Sequence, residues 1–140
     1  MRVQRLAILA MAMMGLTGQA APQPKYAEDQ VWEYHARARD PGSLLKIQRI
    51  EAYGSAQVYH ISVSGLHFGK SDALQALQHS PVSVETLDAS VTKLASAEFP
   101  VIDFEGGLAE WRQAKGGIFT IPVSEIVGII DAQIGNAQSK

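Results

Sequence analysis

The sequence predicts an α+β domain: an antiparallel β-meander over about residues 31–64 and one later strand, covered on one face by two to four helices. Three observations lead there. Successive segments of the first half alternate apolar and polar side chains with period two, short turn-forming stretches separate them, and the second half carries apolar stripes at helical spacing.

In "VWEYHAR", Trp32, Tyr34 and Ala36 fall on one side of an extended chain, and Glu33, His35 and Arg37 on the other. Asp40, Pro41 and Gly42 then supply a turn. "LLKIQRIE" directs Leu45 and Ile47 inward and Lys46 and Gln48 outward, and Gly54 turns the chain again. "VYHISVS" sets Tyr59, Ile61 and Val63 against His60, Ser62 and Ser64. Burying those three apolar side chains contributes roughly 1.5–3 kcal/mol each, so the register is not free to slip. His60 is therefore expected on the wet face, with His67 beyond Gly65 in a loop.

The second half reads as helical. "SDALQALQ" has strong helix formers and no β-branched residue, with a strand as the rival reading. In "SPVSVETLDASVTKLAS", Ser80 or Ser83 can cap a helix whose Leu87, Val91 and Leu94 make one stripe. "LAEWRQAK" places Leu108 and Trp111 on one face, and Gly116 ends it. "GIFTIPV" reads as the later strand, closed by Pro122. Ser124 then caps "EIVGIIDAQI", with Ile126, Ile129, Ile130 and Ile134 as its apolar face. The domain spans 31–135, preceded by a polar segment at 21–30 that frays and followed by a tail at 136–140.

The start of the chain speaks to compartment. Arg2 and Arg5 precede an uncharged run from Leu6 to Leu16, and Gly18 and Ala20 are small residues placed for cleavage after Ala20. The run is shorter than the roughly 20 residues a membrane-crossing helix needs, so no stable membrane anchor is expected. The expected destination is a bacterial periplasm or the medium outside. Without Met1–Ala20, and so without two of its 12 Lys and Arg, the chain sets 10 basic against 14 acidic groups, a net charge of −4. Such a surface does not seek phosphate backbones, so nucleic acid is not an expected partner. With zero cysteines no disulfide helps hold the fold, and cysteine nucleophiles are excluded.

No catalytic residue set, cofactor or metal follows from the motifs. Gly106-Gly107 and Gly116-Gly117 lack the spacing of a nucleotide cradle and bracket one short helix. Asp103, Glu105 and Glu110 lack the alternating ligands of a calcium loop. Four histidines without cysteine show no pair spaced for a zinc site, and no serine sits in a hydrolase elbow. The outer face of the meander is the one candidate surface: Glu33, His35, Arg37, Lys46, Gln48, His60 and Ser62, with two histidines to make docking sensitive to acid.

The blocks "QVWEY", "SLLKIQRIE", "YHISVSGL", "HSPVSVETLDASVTKL" and "GGIFTIPVSEIV" resemble those of a family of small bacterial proteins. The resemblance covers most of the chain after Ala20 and implies no activity, ligand or catalytic residue. The sequence thus points to an exported, non-catalytic binding protein of the inhibitor, immunity or accessory type, with a protein partner in the periplasm. The alternative is a small hydrolase or metal-assisted enzyme using His60, His67 or His79 with Asp103 or Glu105.

Overall fold

A computed structural model describes residues 25–138; the expected signal peptide at 1–20 and its cleavage site lie outside the described residues. The elements are β1 (Val31–Tyr34), β2 (Leu44–Tyr53), β3 (Ala56–Leu66), β4 (Gln75–Val82), α1 (Val84–Ser90), β5 (Val91–Leu94), α2 (Glu105–Ala114) and α3 (Val123–Gln138). The strands form one antiparallel sheet in the order β4-β3-β2-β1-β5. An α+β fold built on a β-meander is what the alternation predicts, and it is what forms. Among the described residues, no helix is long and apolar enough to cross a membrane.

One face of the sheet carries Trp32, Tyr34, Leu45, Ile47, Tyr59, Ile61 and Val63, which pack with Leu87 of α1 and with Val123, Ile126 and Val127 of α3. These side chains leave water almost completely, and their burial is the main stabilising term. The other face is not bare. Helix α2 packs against β4 on this side, so the sheet has helices on both faces rather than one. Val58 of β3 and Leu108 of α2 are fully buried yet lie outside the main core cluster.

Several elements differ from the sequence expectation. The segment at 75–82 is a strand: Ala, Leu and Gln favour a helix locally, but pairing with β3 outweighs that preference. The helix expected through Leu94 stops at Ser90, because Val91 becomes extended and pairs with Tyr34 of β1. Ser83 caps it, its Oγ accepting from the Thr86 amide at 3.2 Å. "GIFTIPV" forms no strand, only a parallel bridge between Phe119 and Val82. Helix α3 opens at Val123, with Pro122 O accepting from Glu125 and Ile126, so Ser124 lies inside it; the helix also runs into the expected tail. The segment before β1 does not fray from Lys25 onward: Tyr26 is buried edge-on against Trp32 and Tyr59, and its hydroxyl donates to Asp88.

Two irregularities set which side chains meet. In β2 the pairing passes from Ile47↔Ile61 to Arg49↔His60, so Gln48 is an extra residue. In β4 it passes from Ser80↔Ile61 to Leu77↔Val63, again with one residue extra. Beyond the first bulge Arg49 and Glu51 join the α2 face, although Leu45 and Ile47, of the same parity, face the main core. The second bulge leaves Leu77 against the core and His79 on the α2 side.

Candidate functional site

His60 is wholly enclosed, at 0% exposure, which corrects the expectation of a solvated imidazole. Strand alternation does place it opposite Tyr59, Ile61 and Val63; the correction comes from α2, which covers that face. Its Nδ1 is 2.8 Å from His79 Nε2, and its Nε2 is 3.4 Å from a carboxylate oxygen of Glu51. The two imidazoles stack with ring centres 5.0 Å apart, and the Trp111 indole meets His60 edge-on at 4.8 Å.

Helix α2 is seated by several specific contacts. Arg112 bridges to Glu51, and Glu105 to Arg49, whose guanidinium lies over the Phe104 ring. Trp111 Nε1 donates to Gly117 O at 2.9 Å. Gly107, inside the first turns of α2, lies so close to β4 that a Cβ there would sit 2.7 Å from His79 Cβ. The helix ends with Lys115 at φ 50°, Lys115 N–H donating to Arg112 O and Gly116 N–H to Trp111 O. That hydrogen-bond pattern satisfies the last carbonyls, and it needs a left-handed residue where glycine is usual.

Burial, and then Arg49, hold the His60 imidazole down to about 4; burial, and then His60, do the same for His79. Glu51 would favour a charged His60, but its carboxylate already faces Arg112. Both rings are therefore neutral at pH 7, one donating and one accepting across the 2.8 Å contact. His79 also lines an open groove of about 580 Å³ with Gln78, Gly107, Glu110 and Trp111.

The remaining residues of the expected face separate into groups. Ser62 Oγ donates to Gln78 O and accepts from Gln48 Nε2, beneath the surface. Glu33 pairs with Lys93 of β5, and Lys46 with Asp29. His35 and Arg37 lie beyond the end of β1. His35 is exposed, whereas Arg37 turns to the α3 end, bonding Asp40 (2.7 Å), Asp131 (2.7 Å) and His67 O (2.9 Å). Asp40 is fully buried and also accepts from the His67 amide. Asp131 accepts from the Gly69 amide and Arg39 as well, and these donors, Gly69 first and then Arg37, lower its carboxyl.

Of the residues considered for catalysis, His60 and His79 come together. His67 instead sits 3.4 Å from Asp40, Asp103 accepts from the Glu105 amide, and Glu105 is engaged by Arg49. Among the described residues no group of three or more His, Cys, Asp or Glu is placed to hold a metal ion. Ser80 follows His79 but points to the opposite face with Ile61, so the two are not a dyad. Sequence reasoning misses Glu51, whose facing is reversed by the Gln48 bulge, and places Trp111 only on a helix face with Leu108.

Compared with family models, curated proteins and solved structures, the chain matches none of them.

Proposed function

We propose that this chain is a non-catalytic binding protein of the inhibitor, immunity or accessory type, exported to the periplasm after cleavage near Ala20 and partnered there by another protein. The supporting observation is how the titratable groups are used. His60 engages His79 and Glu51, Asp40 and Asp131 engage arginines and backbone amides, and none of these contacts includes a hydroxyl nucleophile. With His60 covered by α2, the contact surface moves to the part of that face beside β1 and β5, where Glu33, Lys46 and Lys93 lie. There β5 is the last strand of the sheet, with Thr92, Lys93 and Leu94 exposed, and Val101 follows fully exposed. A rim strand with one unpaired side accepts an added strand from a partner.

The test is recovery of one stoichiometric protein from periplasmic extract by the cleaved chain. Leu94→Asp with Val101→Asp should abolish that recovery without altering the fold. Failure of the wild-type chain to retain any partner, or full retention by the double variant, overturns the reading.

One observation favours a second reading. Glu51, His60 and His79 form a row that ends at the groove, the order in which a carboxylate orients one imidazole and that imidazole orients another. Hydrolysis of ester or phosphoester probes, lost in His79→Gln, would promote this acid–base enzyme over the binding protein.

A further inference from the structure

The buried imidazole pair has a consequence that is independent of what the protein binds. We infer that α2 is a clamp released by acid: protons taken up by His60 and His79 unseat it from the sheet and uncover His60 and Trp111.

The geometry supplies the cause. A neutral pair shares one hydrogen across the 2.8 Å Nδ1–Nε2 contact. One added proton leaves an N–H to nitrogen bond intact, while a second puts hydrogens on both facing nitrogens and the rings must part. The charged groups around the pair are few. From β2 come Arg49, which opposes the added charge, and Glu51, which favours it but is shared with Arg112. From α2 come Arg112, Glu105 held by Arg49, and Glu110 on the groove wall. β3 contributes only uncharged neighbours of His60, namely Val58 and Ser62, and Pro81 lies opposite it on β4. Water reaches the enclosed His60 only if something lifts, and the element above it is α2, through Trp111. Gly107 leaves no slack at His79, so ring movement there pushes directly on the helix.

α3 belongs to the other face and is held by Val123, Ile126 and Val127 in the main core. Opening can thus be local. Once uncovered, each imidazole regains its ordinary value of 6.5 from about 4, so each favours the open state by roughly 30-fold at about pH 5 relative to pH 7.5. The two together favour it by several hundred-fold.

The experiment is amide hydrogen exchange on the full chain at about pH 7.5 and about pH 5, corrected for intrinsic rates and read separately over α2 and α3. The expected result is a loss of protection of two orders of magnitude or more in 105–114, with α3 protected. Unchanged α2 protection overturns the inference, and so does equal loss in both helices, which would be global unfolding. His79→Gln keeps a hydrogen-bonding group and removes one titrating ring; it should cut the α2 response to roughly 30-fold. As a check that needs no variant, imidazole titration by NMR should place both rings well below 6.5; ordinary values with α2 still protected overturn the clamp.

Discussion

Replacing Asp40 by alanine probes the charged knot at the α3 end. Its carboxylate is wholly buried, accepts from Arg37 Nε at 2.7 Å and from the His67 amide at 2.8 Å, and stands between the β1–β2 turn and the chain leaving β3. Alanine removes both bonds. Arg37 keeps Asp131 and His67 O, so it is not stranded, but the His67 amide loses its acceptor in a dry site. A hydrogen bond to a charged group contributes about 1.5–3 kcal/mol, and an orphaned buried donor costs about 1–3 kcal/mol more. With partial relaxation, the loss should be about 3–5 kcal/mol. Asp131→Ala is the control: its side chain is 15% exposed, water can replace it, and about 1–2 kcal/mol is expected. Urea unfolding followed by circular dichroism at neutral pH measures both, as midpoint shifts at unchanged slope. A loss below about 1 kcal/mol for Asp40→Ala, or a larger loss for Asp131→Ala, would refute the ranking by burial.

Three further outcomes are expected. Gly106→Ala and Gly107→Ala should move stability in opposite directions: the first meets open space and gains about 0.5–1 kcal/mol of helix propensity, while the second drives a Cβ into His79 and lowers the melting temperature. Lys115→Gly should stabilise by about 1 kcal/mol, because Lys115 holds φ 50° where a side chain is unfavourable; a melting temperature that falls would count against this. Global stability should be greatest above about pH 6.5 and decline toward about pH 4, since unfolded imidazoles bind protons that the folded His60 and His79 refuse. A denaturation midpoint that is flat across that window would contradict the burial of the pair.

The parts of the fold legible in sequence are those whose signal is local. β1 alternates because one of its faces is dry, β3 because its main-core side is apolar while its other side, buried too, carries His60, Ser62 and Ser64, and the turn at Asp40–Gly42 separates β1 from β2. β4 was hidden because its residues favour a helix and only pairing with β3 makes it a strand. The helix expected from Ser80 or Ser83 through Leu94 forms only in its first part, capped by Ser83, because Val91 answers to Tyr34, a residue far away in sequence. Alternation alone puts His60 on the face opposite the main core, but not beneath α2, where it is enclosed. Nothing near position 60 announces that His79, Glu51 and Trp111 will gather around it, since each arrives from a different element.

The extra residues in β2 and β4 both sit beside the middle of β3. They act as two shifts of phase, each exchanging which parity of residue looks up and which looks down. Regular pairing of every residue would put Ile47 and Glu51, or Leu77 and His79, on one face; the extra residue is what lets each pair of equal parity face opposite ways. The row Glu51, His60 and His79 therefore depends on one unpaired residue in each neighbouring strand as much as on its own side chains.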